Sequence, residues 1–393
     1  ALPEAPAVLV TGEGEGTGAL RWDTALAKAG EPGDAGVDAA ALALILYTSG
    51  TTGRPKGVML SHANLAANVQ SIVAYLGLEA GDSIVSVLPF YYSYGASVLH
   101  THLAVGARVV LESNTVFPHL VVEAIARERA TGFSGVPSTF LLLLNRVPLA
   151  DHDLSSLRYL TQAGGAMAPA VTARLRAALP WARLFVMYGQ TEATARLAWL
   201  PPERLDDKPG SAGIPVAGVA FEIRDEHGAA LAPGRVGELY VRGPNVMQGY
   251  WQDPALSAEV LREGWLRTGD MGHLDDEGFL FLSGRRSDMI KTGAHRVHPK
   301  DIEEVIAELP EVAEVAVVGI DDEWLGQVIK ACIVPVAGAS LVPDRVKAHC
   351  RERLATYKIP KFIEAFADLP KTASGKVRRA LLAGITIEPR EVS

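Results

Sequence analysis

Tyr47-Thr-Ser-Gly-Thr-Thr-Gly-Arg-Pro-Lys-Gly57 is the stretch from which the fold is read. Its three glycines, Gly50, Gly53 and Gly57, remove side-chain bulk, so the backbone can turn tightly and present N–H groups to phosphate oxygens. Thr48, Ser49, Thr51 and Thr52 add hydroxyl donors, and Lys56 adds positive charge. No Gly-Lys-Ser/Thr follows a glycine at the required spacing, so this is not a Walker A loop. The apolar run Ala39–Tyr47 ends abruptly in the loop, which favours a strand over its C-terminal half. Beyond the loop, Ser61 is a candidate N-cap for a helix running to about Tyr75.

Outward from this loop the texture changes twice. Up to about Val186, short apolar runs (Ser83–Leu88, Val109–Leu111, Leu184–Met187) alternate with helical segments near Val121–Arg129 and Ala170–Leu179. Such alternation predicts a layered α/β core. Between Gly210 and Ser283, strands and tight turns dominate, with a hairpin at Glu226-His-Gly228 and a strand at Val236–Val241. From Gly284 onward, a helix around Lys300–Leu309, strands Val312–Val318 and Val328–Val336, and a helix near Asp344–Leu354 predict a compact α+β unit. The expected fold class is α/β: a large N-terminal domain over 1–283, with a layered core and a β-rich subdomain, and a small mobile α+β C-terminal domain over 284–393.

Bulk properties narrow the function classes. The chain has 393 residues, 48% of them hydrophobic, enough for more than one packed domain. A formal net charge of -8 argues against a nucleic-acid binder, which would carry a basic field. Two cysteines, Cys332 and Cys350, outside any CxxC pattern make no disulfide framework, and a reducing cytoplasmic setting is the simplest expectation. The run Ala39–Tyr47 is too short to span a bilayer, so no transmembrane segment is expected. His100 and His102 lack a third ligand at useful spacing, so packing or surface roles are expected of them.

The loop resembles the signature of the adenylate-forming superfamily, which includes acyl- and aryl-coenzyme A synthetases. Further pieces match in the family's order: Gly164-Gly165-Ala166, Tyr188-Gly189-Gln-Thr191-Glu192, Gly237-Glu-Leu239, Arg267-Thr-Gly-Asp270, Gly284-Arg285 and Pro370-Lys-Thr-Ala-Ser-Gly-Lys376. The resemblance implies an ATP-dependent, AMP-forming acid–thiol ligase in which the loop, Gly164–Ala166, Tyr188 and Gly189 bind ATP or AMP. It implies that Asp270 accepts the ribose hydroxyls and that Arg285 contacts ribose and phosphate. Glu192 is then the Mg²⁺ ligand, with Thr191 reaching a phosphate oxygen. Lys376 enters the site during adenylation, where preorganised cations should supply much of the rate. Alone, Tyr188 reads equally as core packing, Asp270 as a turn residue and Lys376 as a solvated lysine; the ordered set of motifs decides between these.

Two departures touch the second half-reaction, in which the C-terminal domain swings and coenzyme A is acylated. Ser287 stands where relatives usually carry Asp or Lys as the pivot, and Thr292-Gly293-Ala294 keeps one glycine where many have two. Lys291 matches a lysine that some relatives use in this step. Leu88-Pro-Phe-Tyr-Tyr-Ser-Tyr-Gly95 falls where the family gates its acyl pocket, with Tyr91, Tyr92 and Tyr94 as candidate acyl contacts. Amino-acid-activating members usually place an Asp here, and a buried ammonium without a partner is costly. A fatty or aromatic acid lacking an α-amino group is therefore expected. Arg196 is read as structural, with contact to a second carboxylate as the alternative. An acyl-carrier-protein acceptor bearing phosphopantetheine, and an ATP- or acyl-AMP-binding fragment without turnover, remain open. Only 46 residues precede Tyr47, so the resemblance implies a shortened N-terminal subdomain.

Overall fold

The computed structural model describes residues 9–10, 20–21, 24, 36–49, 55–112, 117–336, 338–372 and 377–384. The chain forms two compact units, Ala1–Ala41 and Leu42–Ser393. In the first unit, Leu9–Val10 and Leu20–Arg21 pair in parallel. The second unit holds every motif from Tyr47 onward.

Its centre is a seven-stranded sheet, with neighbours in the order Ile214–Pro215, Ala198–Leu200, Arg183–Tyr188, Tyr159–Gln162, Gly132–Gly135, Ser83–Ser86 and Arg108–Leu111. The last five are parallel, joined by helices Ser93–Ala104, Pro118–Glu128, Pro137–Arg146 and Pro169–Ala178. Strands sandwiched between helices must be apolar on both faces. Accordingly Ser83–Ser86, Gly132–Gly135 and Tyr159–Gln162 are buried at every position. Alternate side chains serve opposite faces. Along Arg183–Tyr188, Leu184 packs with Phe133, Phe140 and Leu175, whereas Phe185 and Met187 pack with Ile72, Tyr94 and Val98.

The chain enters this sheet at Ser83–Ser86, steps to Arg108–Leu111, and returns to the other side at Gly132–Gly135. Ligands of open α/β sheets bind beyond the carboxyl ends of the strands near such a reversal. Segments 88–95, 163–166 and 189–192 follow the carboxyl ends of three of these parallel strands. The sequence pieces carrying expected chemistry therefore lie along one edge.

The helix at Ser61 forms as expected, spanning His62–Leu76. Ser61 caps it through a reciprocal pair with Asn64, at 3.1 and 2.9 Å. One strand departs from the sequence expectation. The strand Leu42–Ser49 does not lead straight to this helix; Pro55–Ser61 returns antiparallel beside it, setting Thr48 opposite Lys56. The Pro-Lys-Gly opening of that strand reads as loop, and its pairing with Leu42–Ser49 and Gly249–Tyr250 decides otherwise.

The β-rich region is a five-stranded sheet built on Trp265–Leu274, which pairs with Gly237–Arg242, Leu261–Arg262 and Leu280–Arg285, while Ala220–Arg224 flanks Gly237–Arg242. After Arg285, a second five-stranded sheet forms from Ile290–Thr292, His295–Val297, Val312–Asp322, Gly326–Pro335 and Phe362–Ala365. Its two long strands exceed the expected ones because they meet in a hairpin. Asp322 Oδ1 holds the turn by accepting from the amides of Trp324 and Leu325 at 3.0 and 3.1 Å. Helices Pro299–Ile306 and Pro343–Arg353 bury Ile302, Ile306, Val346 and Cys350 against Ile329, Ala331 and Ile333. Both cysteines are free, buried thiols, each pushed up to about 11 by burial. Among the described residues no helix is long and apolar enough to cross a membrane.

Candidate active site

The site is best built from Tyr188, the last residue of the strand Arg183–Tyr188. Its hydroxyl donates to Asp270 Oδ2 at 2.6 Å, and Arg285 Nε lies 3.1 Å from Asp270 Oδ1. Three residues far apart in sequence thus form one line. Asp270 is held from below: its amide donates to Thr268 Oγ1 at 3.1 Å, and Thr268 donates onward to Leu239 O at 2.8 Å. Burial, then the Asp270 charge, raise the Tyr188 hydroxyl well above its ordinary range, so it stays a donor. Arg285 is raised first by Asp270 and remains a fixed cation. A carboxylate offers about four acceptor sites, so one carboxylate can serve Tyr188 and the hydroxyls of a ribose together.

A second cluster surrounds Glu192. The loop 189–196 doubles back so tightly that a Cβ on Gly189 would sit 1.8 Å from Ala195 O. Thr194 adopts φ 67° and ψ -56°, and Ala195 N donates to Ala193 O at 2.7 Å. This is the rare positive-φ γ-turn, a strained conformation often kept at functional sites. Asn245 holds the turn from both sides: its Nδ2 donates to Arg196 O at 2.7 Å, and its carbonyl accepts from Thr194 Oγ1 at 2.7 Å. The turn presents Thr191 and Glu192 outward. Thr191 Oγ1 lies 3.2 Å from Ser93 Oγ, and Glu192 Oε1 accepts from Tyr250 OH at 2.9 Å. Lys56 Nζ stands 5.4 Å from the Tyr250 ring centroid. The cation of the glycine-rich hairpin and the acid of the 189–196 loop thus share one tyrosine. Burial, then Glu192, raise the Tyr250 hydroxyl, which keeps its proton.

Glu192 and Thr191 offer one carboxylate and one hydroxyl. Among the described residues no three His, Cys, Asp or Glu side chains are grouped for a metal. This donor set fits a Mg²⁺ carried on phosphates through one carboxylate, and not a caged ion.

The other expected residues are distributed as follows. Gly164, Gly165 and Ala166 are exposed at the carboxyl end of the strand next to that of Tyr188, and Gly165 O accepts from Gln162 Nε2 at 2.7 Å. Tyr91 is 62% exposed, turned out to solvent. Tyr92 is half-buried, its ring 4.7 Å from that of Tyr91. Tyr94 is buried and donates to Thr161 O at 2.8 Å, so its hydroxyl is committed to the core. Gly95 lets the helix Ser93–Ala104 start here, since a Cβ would meet Pro89 O at 2.2 Å. Ser287 is exposed and donates to Asp288 Oδ1 at 3.0 Å. Lys291 is exposed on the C-terminal sheet, in the strand Ile290–Thr292. Thr48 is half-buried on the hairpin opposite Lys56. Gly50, Thr51, Thr52, Gly53, the Ser49 side chain and Lys376 lie outside the described residues. His102 packs inside, its Nε2 2.6 Å from Tyr159 OH.

Sequence reasoning missed Tyr250, Ser93 and Glu238. Glu238, in the Gly-Glu-Leu piece, is buried and accepts from Arg267 Nε at 2.8 Å and Arg286 Nη1 at 2.9 Å, tying the start of the C-terminal region to the β-rich sheet. The run Gly249-Tyr250-Trp251 was the only available signal for Tyr250.

Residues 4–251 match the family of AMP-binding enzymes. The chain belongs to this family. Residues 301–376 match the C-terminal domain of AMP-binding enzymes. The chain is 38% identical over 384 residues to the indoleacetate–CoA ligase of Aromatoleum aromaticum, covering 95% of this chain and 74% of that protein. It is 36% identical to the long-chain-fatty-acid–CoA ligase of Bacillus subtilis, covering 87% of this chain but only 61% of that enzyme. Among solved structures, the o-succinylbenzoate CoA synthetase of Bacillus subtilis, in complex with its acyl-adenylate intermediate, superposes with a TM-score of 0.79 at 34% identity. That match covers 89% of this chain and 70% of the synthetase. An anthranilate CoA ligase in complex with anthranoyl-AMP gives a TM-score of 0.82 at 29% identity, over 88% and 67% of the two chains. This AMP-binding enzyme thus has as relatives acid–CoA ligases that differ in their acids, which agrees with the expected reaction class.

Proposed function

We propose that this AMP-binding enzyme activates a carboxylic acid with ATP and transfers the acyl group to coenzyme A. The observation that carries the reading is the line Tyr188–Asp270–Arg285 beside the cluster Glu192–Tyr250–Lys56, both at the carboxyl edge of the parallel sheet. Tyr188, Gly189 and Gly164–Ala166 bind the adenine, Asp270 the ribose, and Arg285 the ribose and α-phosphate. Thr48–Gly53 and Lys56 hold the β- and γ-phosphates. Glu192 with Thr191 would hold Mg²⁺, which neutralises phosphate charge when bound.

In the first step a carboxylate oxygen of the acid attacks the α-phosphorus. The new O–P bond forms the acyl-adenylate, and pyrophosphate leaves with the electrons of the broken P–O bond. Lys376 and Arg285 stabilise the charge that builds on the α-phosphate. In the second step the coenzyme A thiolate attacks the acyl carbon, a C–S bond forms, and AMP leaves. We assign 1–283 to an adenylating domain and 284–393 to a mobile C-terminal domain, with Ser287 at the pivot and Lys291 brought to the site for this second step. The acid carries no α-amino group, since Leu88–Gly95 holds no Asp or Glu to pair with an ammonium.

ATP–pyrophosphate exchange across fatty, aromatic and amino acids tests the first step. Exchange with a non-amino acid is expected; an amino acid as best substrate overturns the substrate reading, and no exchange with any acid rejects turnover. Thioester formation with coenzyme A and with a phosphopantetheinylated carrier protein then identifies the acceptor.

A further inference from the structure

The chain on either side of Lys376 is fastened to the C-terminal sheet. Before it, Lys371 Nζ lies 2.8 Å from Glu314 Oε2 of the strand Val312–Asp322. Lys371 and Val377 then pair as an antiparallel bridge, and Arg378 N donates to Pro370 O at 2.7 Å, so the two arms meet in a neck. Below the neck, Leu369 and Leu382 are buried with Ala316, Val318 and Cys332, and Val377 packs against them.

Arg379 clamps the second arm. Its Nη1 donates to Glu303 Oε1 and, at 2.8 Å, to Val317 O, while Nη2 donates to Glu303 Oε2 at 3.0 Å. Glu303 is itself fixed, since its Oε1 also accepts from Val317 N at 2.7 Å. The remaining edge of the guanidinium faces the joint: Nε lies 3.7 Å from Asp288 Oδ2, one residue after Ser287. A planar fork holds such partners in fixed directions, which the point charge of a lysine does not. Leu382, fully buried, already anchors the short helix Arg379–Ala383, so the clamp does more than hold that helix. Lys376 precedes Arg379 by three residues, which span at most about 11 Å. The clamp therefore limits how far Lys376 can stray from the helix Pro299–Ile306 and from the joint.

We propose that Arg379 is a positioning residue for adenylation: it locks the arm that bears Lys376 to Glu303 and to the turn beside Ser287, so that Lys376 reaches the α-phosphate in one geometry. This rests on the acid-activating reading above and on the role it gives Lys376. Arg379 acts through Lys376 and not on the substrates. A misplacement of about 1 Å costs about a hundredfold in rate. Lys376 meets charge that grows in the transition state, so the loss falls on kcat and not on KM.

The test is a double-mutant cycle on ATP–pyrophosphate exchange by the full chain, with the acid that the wild type prefers. Arg379→Met should lower kcat about a hundredfold while KM for ATP stays within about threefold of wild type. Added to Lys376→Ala, the same change should cost no more than about threefold, because the group it positions is already gone. Arg379→Lys should retain part of the rate. Acyl transfer to the thiol from supplied acyl-adenylate, a step that Lys376 does not serve, should fall far less than exchange. A loss of exchange below about tenfold in Arg379→Met overturns the proposal, as does a larger further loss in the Lys376→Ala background or an equal loss in both half-reactions. If Arg379→Met does not fold, Arg379→Lys and Glu303→Gln pass through the same cycle and decide. Wild-type exchange with a failed cycle removes this inference and leaves adenylation standing; no wild-type exchange with any acid removes both.

Discussion

Replacing Tyr250 with Phe removes one oxygen and isolates one interaction. The ring stays beneath Lys56 Nζ, 5.4 Å away, but the 2.9 Å hydrogen bond to Glu192 Oε1 is lost. Hydrogen bonds to charged groups contribute about 1.5–3 kcal/mol. If that full amount is expressed in the transition state, the rate falls about 10- to 150-fold at about 1.36 kcal/mol per decade. Removing a group that orients a metal ligand typically has a similar effect, about 10–100-fold in metal affinity or activity. Glu192 is half-buried, so water can replace the hydroxyl and thermal stability should change little. The assay is the initial rate of ATP–pyrophosphate exchange at subsaturating ATP, titrated with Mg²⁺. Tyr250→Phe should lower kcat/KM for ATP about 10- to 100-fold and raise the Mg²⁺ concentration for half-activation. Values within about twofold of wild type for both would show that Tyr250 does not position Glu192.

Three further outcomes follow from the chain. Lys376→Ala should reduce pyrophosphate exchange roughly a hundred- to a thousandfold, the typical effect of removing one contact to developing charge; near-normal exchange would sink its assignment. Gly189→Ala should lower the melting temperature and abolish exchange, because its Cβ would meet the Ala195 carbonyl at 1.8 Å and backbone cannot step aside as a side chain can; wild-type melting and exchange would contradict this. Asp82 is buried; burial alone would raise its pKa, but the Glu79 amide, Thr131 and Arg158 outweigh that and hold it below the usual carboxylate range. A carboxyl lowered on folding stabilises the protein above its unfolded value and loses that contribution as pH falls through its folded value. Asp82→Asn should therefore destabilise most at neutral pH, with the gap to wild type narrowing below about pH 4, as followed by urea melts; a gap independent of pH would refute the assignment.

The order of chemistry-bearing loops was legible because each sits in a short segment whose composition states its conformation. Ser61 and Asn64 announce their helix start locally, and alternating apolar runs announce the α/β layers. The strand Pro55–Ser61 was not legible, since its opening residues favour a loop and only the neighbours on either side hold it extended. Tyr250 and Glu238 were hidden for the same reason: their partners, Glu192 and Arg286, are 58 and 48 residues away and are brought near by sheet register and not by spacing. The tyrosines of 91–94 show the reverse limit. Composition marked the segment, but which rings face solvent or core depends on where the Ser93–Ala104 helix begins.

Met187 and Tyr188 are adjacent in the chain, yet the pleat sends them to different tasks: Met187 to the cavity beside Arg196, Tyr188 to Asp270. One strand therefore carries a core residue on one face and a residue of the Asp270 line on the other. A single-residue insertion upstream in the same strand would exchange the two faces and ruin both at once. Such a layout tolerates a volume-conserving substitution on the core side far better than an insertion or deletion in the strand.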